Sequence, residues 1–281
     1  MELAHLGHVL KIGHSSVQLT TANLTQIDLP GFWPSTGEYP LYDTFHYDLM
    51  TGDEARNKLY SEAIDSLAPS KIVADLGTGA HALWAIRAAR AGAKRVFAIE
   101  SDQHAFELAK QSIAQAGLES KITLLHGTAP DVVLPVKVDL LISEFIGEIV
   151  SSEGMAPILS SAARSYLHPD GRMIPYECET KAVVAELCPE LRNNPCFDER
   201  AIPYIKQIWE SANCPFDLRL TLESQTSVFR PISEEFSLER FKFDSPHSPK
   251  IPHRTTFSTR ITEPSKADGL VAWIEFRCLS S

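Results

Sequence analysis

The chain has 281 residues, 44% of them hydrophobic, which suits one large domain or two modest ones around a sizeable core. A net charge of −10 and a pI near 5.5, with no Lys/Arg run, argue against nucleic-acid binding and are compatible with a cationic substrate. The five cysteines run from Cys178 to Cys278 without a CxxC pair and read as free thiols of a reducing, cytoplasmic compartment; no apolar run reaches membrane-span length, so no membrane partner is expected.

Residues 1–52 read as an N-terminal segment. The opening "MELAHLGHVLKIGHSS" has no apolar stretch followed by a small-residue cleavage site, so no leader is expected. His5, His8 and His14 are joined by no cysteine or acid cluster; they read as histidines on a loosely held terminus, and no metal site is expected.

From 53 to 175 helical and strand-like segments alternate. "DEARNKLYSEAIDSL" reads as a helix, "KIVADLG" as a strand, "HALWAIRAARAG" as a helix, "RVFAIE" as a strand, "DQHAFELAKQSIAQAG" as a helix and "KITLLHG" as a strand. "VDLLIS", a helix through "EGMAPILSSAARSYL" and a strand from "PDGRMIP" continue the series, the sequence form of a doubly wound parallel sheet. The first strand and turn, "VADLGTGAH", carry a cofactor signal. Asp75 ends the strand, Gly77 and Gly79 let the backbone turn tightly against a ligand, and Glu100 at the end of the next strand is placed to accept hydrogen bonds from ribose hydroxyls. Without a GxxxxGK[ST] loop, a nucleoside lacking a pyrophosphate fits better than a nucleotide.

The stretch "LISEFIGEIVSSEGMAPIL" places Glu144, Glu148 and Glu153 among apolar and small residues. On one continuous helix Glu144 and Glu153 would point in nearly opposite directions, at about 100° per residue. A strand ending at Ser143, a loop, and a helix beginning near Gly154 instead allow the two acids to face one another. Glu148 reads as a solvated loop acid.

After Pro175 the segments "ETKAVVAEL", "FDLRLTLES", "EEFSLERFKF" and "LVAWIEFRC" show period-two character between Pro-rich turns, so residues 176–281 read as a second, mainly antiparallel domain. Within it, "DERAIPYIKQIWESA" carries an apolar stripe of Ile202, Ile205, Ile208 and Trp209 at helical spacing, a helical arm near 198–213 that covers its own domain or makes a homodimer contact.

On these motifs the chain resembles the class I S-adenosylmethionine-dependent methyltransferases and, among them, the protein arginine N-methyltransferases. "VADLGTG" and "FAIESD" are similar to that family's cofactor motifs, "SEFIGEIVSSEGM" to its double-glutamate loop, "HYDLMTGDEARNKLYSEAI" to its cofactor-covering helix and "DGLVAWIEF" to a late β-barrel strand, across roughly residues 39 to 278. The resemblance implies a Rossmann-like domain over 53–175 that binds S-adenosyl-L-methionine, and a β-barrel-like substrate domain over 176–281. It implies cofactor contacts from His46, Met50, Arg56, Asp75, Gly77, Gly79, Glu100 and Asp131, with Arg56 on the methionine carboxylate. Substrate contacts fall to Tyr42 and Met155, and Glu144 and Glu153 grip a guanidinium as the catalytic pair. A guanidinium keeps its proton and presents donors in a rigid plane, so two carboxylates can fix it while its remaining nitrogen attacks the methyl group.

The sequence departs from the family at His81, which stands where the last glycine of the motif falls, and at Pro130, which leaves Asp131 as the adenine-side acid. It also stops at Ser281, before the family's Thr-His-Trp segment, so Asp53 lacks its usual partner and the barrel is expected to be incomplete. The chain is accordingly part of a longer polypeptide or a shortened relative. Two rivals stand beside protein arginine methylation: methylation of a small guanidine such as arginine, agmatine or a peptide natural product, and a non-catalytic cofactor-binding subunit. The retained acid pair argues against the second, because carboxylates are costly to bury without a cation.

Overall fold

The computed structural model describes residues 6–12, 15–22, 33–35, 51–144, 149–151, 154–193, 197–203, 205, 219–221, 228–243 and 256–279. They fall into two compact units, one of Met1–Tyr39, Ala182–Phe236 and Phe257–Ala272, the other of Pro40–Lys181, Ser237–Thr256 and Trp273–Ser281.

The first unit begins with strands β1 (Leu6–Ile12) and β2 (Ser15–Ala22), an antiparallel hairpin in which Leu6 lies opposite Thr21 and Ile12 opposite Ser15. A short strand β3 (Trp33–Ser35) follows. The loosely held terminus expected here is therefore a paired hairpin. Its signal is weak because the polar-apolar alternation extends over only a few residues, while backbone pairing depends on a partner strand that composition does not reveal.

The second unit holds the alternating elements. In chain order they are α1 (Glu54–Leu67), β4 (Ile72–Leu76), α2 (Leu83–Arg90), β5 (Arg95–Glu100), α3 (Gln103–Gln115), β6 (Ile122–His126), β7 (Val138–Ser143), α4 (Met155–Tyr166) and β8 (Leu167–Ile174). Asp53 and Asp102 stop α1 and α3 from fraying, since each carboxylate accepts a backbone N–H from the first turn, that of Arg56 at 2.9 Å and of Ala105 at 2.7 Å. The strands form a five-stranded parallel sheet in the order β6-β5-β4-β7-β8.

Strands β4, β5 and β7 are apolar along nearly their whole length because helices cover both faces. Successive residues feed opposite sides. Leu140 and Ile142 pack in a cluster with Tyr60, Ile64, Trp84 and Ala88, while Leu141 joins Leu76, Phe97, Ile99, Leu159 and Tyr166 in another. Tyr60 and Trp84 stack at 4.8 Å between ring centroids.

After Pro175 come β9 (Glu177–Leu187), α5 (Pro189–Asn193), β10 (Phe197–Asp198), a 3₁₀ turn at Glu199–Ala201, β11 (Arg219–Thr221), β12 (Phe229–Pro231), β13 (Phe236–Lys242) and β14 (Gly269–Arg277). In the first unit β10 adds to β2 in parallel and β11 pairs with β3. The remaining strands make a four-stranded sheet in the order β12-β9-β13, with β14 also paired to β9. Where the sequence suggested a barrel, the described residues form this antiparallel sheet. Of the 198–213 arm, Ile205 is buried within its own chain at 2% exposure, while Ile208 and Trp209 lie outside the described residues.

The turn after β6 is held by Gly127, whose N–H donates to Glu100 O at 2.9 Å. Its φ of +146° suits no L side chain, and a Cβ there would meet Val132 Cγ2 at 2.6 Å. Gly127→Ala is expected to cost about 1–3 kcal/mol through backbone strain and overpacking. Chemical denaturation measures it, and an unchanged midpoint would refute the close approach.

Candidate functional site

Register alone brings several of the sequence-predicted residues to one edge of the sheet. Leu76, the last residue of β4, pairs with Ile99 of β5 on one side and with Ser143 of β7 on the other. Gly77, Glu100 and Glu144 therefore leave the sheet at the same level. Strands β5 and β6 add to one side of β4 and β7 and β8 to the other, so this edge is also the point where the chain reverses its direction of winding, and open α/β sheets bind ligands in the crevice there.

Gly77 and Gly79 take φ values of +66° and +65°, a left-handed conformation that glycine adopts without steric cost. The turn they make aims the Gly79 N–H at Glu100 Oε2, 2.8 Å away, while Glu100 Oε1 accepts the Asp102 N–H at 2.9 Å. Both carboxylate oxygens are thereby oriented, and each keeps a second lone pair for a ligand hydroxyl. The motif runs one residue longer than its glycines suggest: Ala82, not His81, adopts the left-handed conformation before α2, with φ +46°.

Asp75 lies beneath this turn. It is fully buried; its Oδ2 accepts the Thr78 hydroxyl at 2.6 Å and the Ala85 N–H at 3.0 Å, tying the turn to the start of α2. Oδ1 has no partner among the described residues. Burial pushes the carboxyl up to about 7, with nearby Glu100 adding to the rise and the two hydrogen bonds opposing it.

The third acid is Glu144. Its Oε2 accepts Arg56 Nη1 at 2.9 Å, and both side chains are largely buried, at 9% exposure for Arg56 and 13% for Glu144. Arg56 belongs to the first turn of α1. Tyr60, one turn further along the same face, donates its hydroxyl to Ser143 O at 3.0 Å. Burial, with Glu144 close by, pushes the Tyr60 hydroxyl well above its ordinary range. The resemblance assigns Arg56 and Glu144 to different ligands; in the structure they pair with each other.

The far limb of the same loop is held by residues that sequence reasoning missed. Val150 N–H donates to Thr180 Oγ1 at 3.0 Å, Ser151 N–H donates to Glu239 Oε1 at 3.0 Å, and the Thr180 hydroxyl donates to that same oxygen at 2.8 Å. For Tyr60 the four-residue spacing from Arg56 was a usable signal; for Thr180 and Glu239, on β9 and β13, there was none.

Met155 is fully buried at the start of α4, in the cluster that holds Val150 and Leu159. Asp131 is exposed and close enough to Tyr166 to contribute to the rise in that hydroxyl's pKa, behind burial. Tyr42, His46, Met50, Glu148 and Glu153 lie outside the described residues. A cavity of about 370 Å³ is lined by Arg56 together with Asp53, Glu177, Glu179, Glu275 and Arg277; Glu177 is paired with Arg240 and Lys242, and Glu275 with Lys181.

Residues 51–174, less than half of the chain, match the family described as ribosomal protein L11 methyltransferase (PrmA). The chain is 37% identical over 132 residues to "Probable protein arginine N-methyltransferase 6" of Arabidopsis thaliana, covering 46% of this chain and 30% of that protein. It is 34% identical over 148 residues to protein arginine N-methyltransferase 1 of Dictyostelium discoideum, covering 50% of this chain and 43% of that one. The chain thus spans less than half the length of these curated relatives. Among solved structures it shares its fold with the Trypanosoma brucei PRMT1 enzyme-prozyme heterotetrameric complex with AdoHcy, at a TM-score of 0.55 and 21% identity, over 73% of this chain and 63% of that chain. The expected resemblance to the protein arginine N-methyltransferases is therefore present in sequence, and in structure the chain shares the fold of that solved complex.

Asp75 should leave a signature in stability. Between the ordinary aspartate value of 3.8 and about 7 in the folded chain, the unfolded chain releases a proton that the folded chain keeps, so stability falls as pH rises through this window. Asp75→Asn removes the titration while keeping an acceptor for Thr78 and Ala85. The wild type should lose up to roughly 4 kcal/mol relative to this variant between pH 4 and pH 7. Denaturation midpoints across that range measure it; a pH-independent difference would contradict the burial argument.

Proposed function

We propose that the chain is an S-adenosylmethionine-dependent N-methyltransferase that acts on a guanidino nitrogen, with protein arginine as the substrate class. The observation that carries this reading is the meeting, at one edge of the parallel sheet, of the glycine turn and Glu100 with the Arg56–Glu144 pair. The relatives named as protein arginine N-methyltransferases support it.

The residues present fit the cofactor. Two left-handed glycines let the backbone approach a nucleoside closely, and Glu100, already oriented by two backbone donors, accepts from ribose hydroxyls. Arg56 takes the methionine carboxylate, His46 and Met50 line the same pocket and Asp131 lies on the adenine side; Asp75 acts from below by holding the turn. When bound, the sulfonium supplies an electrophilic methyl group.

On the substrate side, Glu144 and Glu153 grip the guanidinium from two directions, with Tyr42 beside it; Met155, fully buried, supports the start of α4 from the core. Drawing positive charge towards the nitrogens that face the acids leaves the remaining nitrogen with more of its lone pair, aligned for in-line attack; its new bond to the methyl carbon would form as the carbon–sulfur bond breaks, the electron pair leaving with the thioether and the nitrogen giving up one proton. The Arg56 guanidinium presents five N–H donors in a planar fork, enough to orient Glu144 and still engage a second carboxylate. Cofactor and substrate are thereby linked through one side chain.

The setting we propose is cytoplasmic, supported by Cys178, Cys188 and Cys278, which are free thiols. Among the described residues no helix is long and apolar enough to cross a membrane. A second copy of the chain is the proposed partner of the 198–213 arm, and light scattering of the intact and arm-deleted proteins tests it by mass.

The functional test is mass spectrometry of an arginine-rich peptide, free arginine and agmatine after incubation with S-adenosylmethionine. Methylated peptide is expected; product only on the small guanidines, or none at all, would replace this reading. Glu144→Gln should lower transfer by roughly two or more orders of magnitude, because an amide presents donors to the cation it should hold. Calorimetry of the wild type should show binding of S-adenosylmethionine and none of a nicotinamide dinucleotide. A fully active Glu144→Gln enzyme would remove this carboxylate from the mechanism.

A further inference from the structure

The loop that leaves β7 must carry Glu144 on its first limb and Glu153 on its last, and then enter α4 at Gly154. The first limb is held from α1 by Arg56 and Tyr60. The last limb is held differently. Val150 is fully buried, and its backbone N–H and that of Ser151 are both taken by side chains, not by other backbone groups.

The chemistry of the receiving cluster is directional. A hydroxyl has one proton and two lone pairs. Because the Thr180 hydroxyl gives its proton to Glu239 Oε1 at 2.8 Å, it meets the Val150 N–H, 3.0 Å away, as an acceptor. Glu239 Oε1 receives two donors, the Thr180 hydroxyl and the Ser151 N–H. Thr180 is itself fully buried, so water does not compete for these bonds. Two consecutive amides, ending two residues before Glu153, are thus fixed in angle by β9 and β13.

We infer that Thr180 and Glu239 are positioning residues that set the last limb of the double-carboxylate loop, and through it the placement of Glu153 against the guanidino substrate. This rests on the proposed guanidino methyl transfer. Apolar packing of Val150 alone would hold the limb in place but would not fix the rotation of its peptide planes. A guanidinium gripped from two sides needs that rotation fixed, since misplacement by about 1 Å costs on the order of 100-fold in rate.

The test uses the whole chain and two matched pairs of variants. Thr180→Val keeps the shape and loses the hydroxyl, and Thr180→Ser keeps it; Glu239→Ala loses the acceptor, and Glu239→Gln keeps an oxygen there. Thr180→Val and Glu239→Ala are expected to lower kcat/KM for an arginine-rich peptide by about ten-fold or more, with cofactor affinity by calorimetry within about two-fold of wild type. Thr180→Ser and Glu239→Gln should recover most of that loss. Amide exchange at Val150 and Ser151 should quicken in the first variant of each pair only. Full turnover in Thr180→Val and Glu239→Ala, or a parallel fall in cofactor affinity and turnover, overturns the inference alone. A wild type that methylates no guanidino compound overturns the functional reading instead.

Discussion

A carboxylate removed from water needs a compensating donor, and the sheet edge carries three acids that meet this demand in three ways. Glu144 has a guanidinium, Glu100 has two backbone N–H groups, and Asp75 has a hydroxyl and one N–H for a single oxygen. The Arg56–Glu144 pair is the one on which most else depends. It requires α1 to be capped at Asp53, so that its first turn reaches the loop, and requires β7 to end at Ser143 beside β4. Breaking either partner of such a pair leaves a largely buried charge uncompensated.

The other two acids show how one edge supports distinct tasks. Glu100 is oriented yet retains acceptor capacity, which suits a ligand contact. Asp75 is sealed beneath the turn, and burial raises its carboxyl to about 7, so its contribution is to the shape of the glycine turn. The left-handed Ala82 completes the same turn at a position where a side chain is strained.

The first unit is built on another principle. Glu186 accepts from Arg192 at 2.8 Å and Arg230 at 2.6 Å, and Arg192 also reaches Asp268 at 2.9 Å. The Ser265 hydroxyl and the two guanidinium groups hold the Glu186 carboxyl down at about 2. Such exposed pairs add little stability individually, but their geometry ties β9, α5 and β12 to the segment before β14. The matched segment of residues 51–174 lies in the second unit, where the candidate site is formed.

How far the site could be read in advance follows from the range of each interaction. The sequence determined the order of helices and strands over 53–175, because hydrophobic period and Asp caps act within a few residues; "VDLLIS" and the helix after Gly154 were legible for that reason. It also determined the glycine turn and the acid ending β5, whose chemistry is written in the residue types. Tertiary structure alone decided that Arg56 meets Glu144 across 88 residues and that Thr180 meets Glu239 across 59. It likewise placed Met155 in the core, made a hairpin of residues 6–22 and paired the described C-terminal strands in an antiparallel sheet. Those outcomes depend on which strand lies beside which, and pairing between distant segments leaves no periodic mark on either.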